Sequence, residues 1–166
     1  AVFLRTALCC FKCKGFNCTL KAPDGSIVTG CDTIRAVSTK FKDTWTYYED
    51  SALLIHDLEK HLRDYPHSKV LQDLVLTGGE PLLHFSNPVL LQTLEHFILL
   101  GHKLTVETNA ALPINFEHEF LKQARFSMSV KLSNSSERKE KRINYDTIRS
   151  IADNTCGSYF KFVVSK

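Results

Sequence analysis

Five short apolar, β-branched runs recur along the chain, at Val2 to Leu8, Val70 to Thr77, Lys103 to Thr108, Phe126 to Leu132 and Ser158 to Val164. Helical patterns separate them. Leu54, Ile55, Leu58 and Leu62 recur at helical spacing between Ser51 and Arg63. Asn87-Pro88 offers a cap and a first-turn proline, and Leu90, Leu91, Leu94, Phe97 and Ile98 then line one face until Gly101. Two further helices are expected over Phe116 to Gln123 and Asn144 to Asp153, the second with Ile148 and Ile151 inward. Alternation of this kind predicts an α/β fold on parallel strands. Strands that are almost continuously apolar belong in a sheet covered on both faces. Five β units cannot close an eight-stranded barrel, so a partial barrel or an open sheet is expected.

The stretch from Cys9 to Tyr48 breaks the alternation, and insertions of that length in a small domain usually serve function. Within it Ala22-Pro23-Asp24-Gly25 is a turn signal, and Ser26 to Thr29 reads as half of a small hairpin. Phe41, Trp45, Tyr47 and Tyr48 are expected to pack the insertion against the core. A net charge of +3 over 166 residues is too mild to imply nucleic-acid binding. No apolar run reaches the roughly 18 residues of a membrane span. One domain over 1–166 is expected. The chain has no initiator Met and closes just after a strand-like run, which predicts a fragment truncated at both ends.

Five of the six cysteines, Cys9, Cys10, Cys13, Cys18 and Cys31, crowd into the insertion, and Cys156 stands apart. A secreted disulfide scaffold spreads its cysteines, so the clustering favours a metal or redox centre in a reducing cytoplasm. Cys9 and Cys13 follow the first strand directly, at the sheet edge where parallel α/β folds place ligands. Thiolates suit zinc or iron–sulfur centres. Structural zinc usually takes two closely spaced pairs, which are absent here, whereas three thiolates on a four-iron cluster leave one iron open. Cys10 is expected to point away from Cys9, as neighbours do in an extended chain, and to serve packing. Cys156 reads as a buried small hydrophobe. The second signal is Thr77-Gly78-Gly79-Glu80-Pro81 after the second long strand. Its Glu80 is either an acceptor for a cationic ligand group or a solvated turn residue. The charge run Glu137 to Arg142 reads as a solvated loop.

Together these motifs resemble the radical S-adenosylmethionine enzymes. Phe3-Leu4-Arg5, Cys31-Asp32-Thr33, Glu107-Thr108-Asn109 and Ser129-Val130-Lys131 extend the likeness, most closely to the 7-carboxy-7-deazaguanine synthase family. The resemblance implies a partial (β/α) barrel of the radical SAM type with an insertion after the first strand. It implies conversion of 6-carboxy-5,6,7,8-tetrahydropterin to 7-carboxy-7-deazaguanine with loss of ammonia, a step toward queuosine and related deazapurines. A 4Fe–4S cluster, S-adenosylmethionine and magnesium come with it, as do a carboxypterin substrate, a flavodoxin-like reductant, a homodimer and a cytoplasmic setting. Carried over, Cys9 and Cys13 hold the cluster, Arg5 and Thr77 contact substrate, and Thr33 ligates magnesium. Asp32, Gly79, Ser129, Val130 and Lys131 contact S-adenosylmethionine, with Val130 standing where the family has proline. The family's cluster motif is CxxxCxxC, but the position three after Cys13 is Phe16. Cys31, which keeps the Cys-Asp-Thr unit, is the expected third ligand, and Cys18, close to Phe16 as a ring for adenine, is its rival. Two other readings are an activase of a glycyl-radical enzyme and a zinc-stabilised binding module without catalysis.

Overall fold

A computed structural model describes residues 1–13, 18–63 and 71–164. The elements are β1 (Val2–Thr6), β2 (Cys18–Lys21), β3 (Ile27–Gly30), α1 (Ile34–Val37), α2 (Ser51–Arg63), β4 (Leu74–Gly78), α3 (Pro88–Leu99), β5 (Leu104–Thr108), β6 (Arg125–Met128), α4 (Lys139–Arg142), α5 (Tyr145–Asn154) and β7 (Tyr159–Phe160). Strands β1, β4, β5, β6 and β7 form one five-stranded sheet in that order, parallel throughout. Because the order follows the sequence and such crossovers share one hand, the helices collect on one face. The α/β expectation therefore holds, as a mixed fold around a parallel sheet. Strands β2 and β3 pair apart as an antiparallel hairpin. Its turn is set by Gly25 at φ +84° and by Asp24 Oδ1, which accepts from Ser26 N at 2.9 Å.

Strand parity divides the sheet into two faces. Leu74 and Leu76 of β4, Leu104 and Val106 of β5, and Phe126 and Met128 of β6 are buried in the core that α2, α3 and α5 cover. Burying each such side chain contributes about 1.5–3 kcal/mol. The alternate positions Arg5, Thr77, Glu107 and Ser127 occupy the opposite face. The Arg5↔Thr77 and Glu107↔Ser127 pairs are in direct register.

Helix termini follow the sequence signals. Asp50 Oδ1 accepts from Ala52 N at 2.8 Å at the start of α2, and Asn87 Oδ1 accepts from Val89 N at 2.9 Å at the start of α3. At the end of α3, Gly101 N donates to Ile98 O and His102 N to Phe97 O, with Gly101 at φ +90°. That pair of bonds is a Schellman motif, and it needs the left-handed residue. Asn144 Oδ1 accepts from Thr147 N and starts α5, whose Ile151 is fully buried.

Several expectations are corrected. Phe116 to Gln123 gives only a 3-10 turn over Glu119–Gln123. Asn115 Oδ1 takes the Glu117 amide in a local turn that competes with a helix, and β6 begins two residues after Gln123. The first strand ends at Thr6 because Leu8 adopts φ +68° and turns the chain toward α1, where Ala36 O accepts from Leu8 N. The last strand shrinks to Tyr159–Phe160, and Asn134 Nδ2 caps the Val163 carbonyl beyond it. The β6 run stops at Met128. Val70, expected to open the second long strand, lies outside the described residues. In the insertion Phe41 is buried and Trp45 and Tyr48 are half-buried, but Tyr47 is 82 % exposed and packs against little. Cys156 is exposed rather than buried. Among the described residues no helix is long and apolar enough to cross a membrane.

Candidate functional site

The C-terminal ends of β1, β4, β5 and β6 open on a cavity of about 310 Å³. The loop after β1 brings Cys9 and Cys13 to its wall, and the segment after β3 brings Cys31, Asp32 and Thr33. Arg5, Thr77, Gly79, Ser129 and Lys131 complete the set of sequence-predicted residues that line it. Val130 does not, being buried in the core on the other parity. Cys18, opposite Gly30 in the hairpin, is likewise not among the lining residues. Phe16 lies outside the described residues.

Contacts along the β1 loop hold the thiols in place. Gly79 N donates to Thr6 O at 3.0 Å, and Glu80 N donates to Leu8 O at 2.9 Å. Phe11, 2 % exposed, anchors the loop beneath the Lys141 ammonium, 5.3 Å from its ring. Lys12 N donates to Glu137 Oε1 at 2.9 Å. The charge run after residue 136 is therefore partly a clamp on this loop and not merely solvated.

The cysteines pair by hydrogen bonds. A bond with Cys13 chiefly, and one with Thr33, hold the Cys31 thiol down to about 5, while the same bond and burial push Cys13 well above the ordinary thiol range. Lys131 acts on Cys13 in the opposite sense. Cys9 bonds Cys10, which lowers Cys10 to about 7 and, with burial, raises Cys9. Cys10 thus does not diverge from Cys9. The two thiols share a bond, and Asn109 Nδ2 donates to Cys10 Sγ at 3.4 Å. The bonds at Cys31 favour its thiolate, the form that binds soft metals. Among the described residues no three His, Cys, Asp or Glu side chains close on a single metal ion. Cys9, Cys13 and Cys31 line one cavity, and soft donors of this kind suit an iron–sulfur group. Beside them Thr33 Oγ1 lies 3.1 Å from Asp32 Oδ1, a pair of oxygens suited to a hard cation.

Glu80 is neither solvated nor turned to the cavity. It is fully buried and accepts from Thr108 Oγ1 at 2.5 Å, Asn109 N at 2.8 Å and Leu82 N at 3.1 Å. The carboxyl fastens the end of β4 to the end of β5 and so fixes the cavity rim. Burial raises its pKa against the pull of those three donors. A raised folded-state value means that its contribution to stability is full in acid and falls as pH climbs through the carboxyl range. Glu80→Gln turns an NH2 toward a neighbouring donor and is expected to cost about 1–3 kcal/mol. It should also flatten that part of the stability–pH curve. Denaturant unfolding between mildly acidic and neutral pH checks both.

Glu107 and Ser127, given no role by the sequence reading, also line the cavity, as does Lys161. Thr77 Oγ1 donates to Glu107 Oε2 at 2.7 Å, and Lys161 Nζ approaches Glu107 Oε1 at 3.4 Å. Ser127 Oγ is buried with no hydrogen-bond partner among the described residues. Strand parity alone would have put these residues on the face of Arg5 and Thr77.

No curated protein matches the chain. The sequence model of a family described as "4Fe-4S single cluster domain" matches residues 1–151. That match fits an iron–sulfur protein of the radical SAM type and agrees with three thiols around one cavity. By the extent of this match and the donor set it covers, the chain belongs to the 4Fe-4S single cluster domain family.

Proposed function

We propose that this chain is a radical S-adenosylmethionine enzyme that converts 6-carboxy-5,6,7,8-tetrahydropterin to 7-carboxy-7-deazaguanine with release of ammonia. The observation that carries the reading is convergence. Ten residues that the resemblance assigns to cluster, cofactor, magnesium and substrate come from separate parts of the chain and line one cavity. Bound by Cys9, Cys13 and Cys31, a 4Fe–4S cluster supplies the electron for reductive cleavage of S-adenosylmethionine.

The chain's own residues bind and orient. Arg5 and Lys131 offer cations to the carboxylates of substrate and cofactor, the planar Arg5 fork suiting a bidentate pair. Ser129 adds a hydroxyl at the same wall. Gly79 packs its backbone against the β1 loop and offers a backbone contact to the cofactor. Asp32 and Thr33 supply oxygen to magnesium. One domain over 1–166 of the radical SAM partial-barrel type, a flavodoxin-like donor, a homodimer, a cytoplasmic setting and a place in queuosine or deazapurine synthesis belong to the same proposal.

Anaerobically reconstituted protein, given reductant, S-adenosylmethionine, magnesium and the carboxytetrahydropterin, is expected to release one ammonia per deazaguanine formed. Reductive cleavage of S-adenosylmethionine without conversion of the pterin would remove the substrate assignment. A sharper expectation concerns Thr33. Thr33→Ala should keep the cluster and the binding of S-adenosylmethionine but lose the stimulation of turnover by magnesium, since a methyl group cannot donate to a hard cation. Thr33→Ser should retain it. Turnover followed across a magnesium titration checks the pair, and equal magnesium dependence in parent and Thr33→Ala would contradict the role.

A further inference from the structure

The segment that leaves β6 doubles back along the cavity wall. Ser135, buried and lining the cavity beside Lys131, donates from Oγ to Leu132 O at 2.7 Å and accepts there from Glu137 N at 3.3 Å. The chain then makes α4, a single turn that buries none of its own residues. One helical turn without an apolar face has no stability of its own. Its apolar anchor is the next residue, Ile143, packed against the core. Polar contacts to both walls of the cavity hold the rest. On one wall, Glu137 Oε1 accepts from Lys12 N at 2.9 Å, directly before Cys13. Lys141 Nζ lies 3.3 Å from the other Glu137 oxygen and covers the Phe11 ring. On the other wall, Arg142 Nη1 donates to Lys131 O at 2.7 Å. A charge-assisted bond of this kind is about twice as strong as a neutral one. The Glu137 side chain is only 14 % exposed, which shelters its bond from competing water. Arg142 Nε is buried with no partner among the described residues, a cost that the bond to Lys131 offsets.

We infer that Glu137 and Arg142 are positioning residues, the two ends of a brace that sets the cofactor segment 129–131 against the cluster loop 9–13. This inference rests on the radical S-adenosylmethionine reading and adds what holds the two sides of that cofactor site in place. Glu137 acts through the Lys12 amide beside Cys13, and Arg142 acts through the Lys131 carbonyl. Cutting either end releases the whole brace, so the two residues work as a unit.

Equilibrium dialysis of S-adenosylmethionine against the oxidised, cluster-loaded protein tests it, since no electron is then available for cleavage. Glu137→Ala and Arg142→Ala should each keep the parent's iron content and bind about 10-fold more weakly, the loss expected of one hydrogen bond to a charged group. The double variant should also lose about 10-fold, not the roughly 100-fold of two independent sites. Glu137→Gln keeps an acceptor for the Lys12 amide and should bind within about twofold of the parent. Hydrogen exchange over residues 9–13, read by mass spectrometry, should quicken in Arg142→Ala although Arg142 bonds the opposite wall. Additive losses in the double variant, parent-like binding in both single variants, or unchanged exchange of the cluster loop in Arg142→Ala would overturn the inference and leave the radical reading intact. Loss of iron from either single variant would overturn it as well, because it would place these residues in the folding of the cluster loop. Failure of the parent to bind S-adenosylmethionine would overturn both readings.

Discussion

Cys31→Ala is expected to lose its iron to background levels on anaerobic reconstitution, and with it the brown colour and all cleavage of S-adenosylmethionine. Cys9→Ala and Cys13→Ala should behave alike, whereas Cys18→Ala, Cys10→Ala and Cys156→Ala should keep the cluster. The expectation follows from placement: Cys9, Cys13 and Cys31 share the cavity wall and Cys18 does not. The bond of Cys31 with Cys13 further shows that the long insertion between them closes back on itself, so sequence distance is no obstacle to a common ligand set. Iron and sulfide analysis with visible absorbance reads the series. Full iron in Cys31→Ala with loss in Cys18→Ala would transfer the third position to Cys18.

The second large effect is on folding. A Cβ built on Gly79 would stand 1.7 Å from Leu8 O, and one on Gly78 2.2 Å from Thr6 O. Both neighbours are backbone, tied by the bonds from Gly79 N and Glu80 N, and cannot yield as a flexible side chain would. Gly78 also sits at φ +120°, a conformation other residues rarely adopt. Gly79→Ala is therefore expected to destabilise the fold by about 4 kcal/mol or more, a large share of the 5–15 kcal/mol typical of a domain. Gly25→Ala makes a fair control. Its φ is +84° but a Cβ there meets nothing within 4 Å, so only the conformational cost of about 1–2 kcal/mol applies. Denaturant unfolding compares them, and a loss below about 1 kcal/mol for Gly79→Ala would show that the loop after β1 can move away.

Much of this was legible in residue order alone. The parallel sheet follows from alternation, α3 from its Asn87 cap, Pro88 and Gly101, and the hairpin from Pro23-Asp24-Gly25. The cavity residues follow from short motifs at strand ends, because parallel strands bring all such ends to one edge. Other features depended on contacts that sequence does not display. Glu80 could be read as a ligand group or a surface group, but its role is set by Thr108 and Asn109, which meet it only across the β4–β5 boundary. Cys10 meets Cys9 although neighbours in an extended chain diverge, a contact that residue order does not display. The helix expected near Phe116 failed because a single Asn115 side chain captured the backbone locally. Glu107 and Ser127 were accessible in principle. Once the inward residues of β5 and β6 are assigned, parity sends these two to the face of Arg5 and Thr77.

In the proposed function three thiols hold a four-iron cluster in this cavity and leave one iron open. Metal and acid-labile sulfide analysis of the anaerobically purified and reconstituted chain tests it most directly, joined to electron paramagnetic resonance of the reduced protein with and without S-adenosylmethionine. The predicted result is four irons and four sulfides per chain, as a single 4Fe–4S cluster requires, with a signal that shifts when S-adenosylmethionine is added. One zinc per chain without sulfide, or a cluster signal indifferent to S-adenosylmethionine, would contradict it.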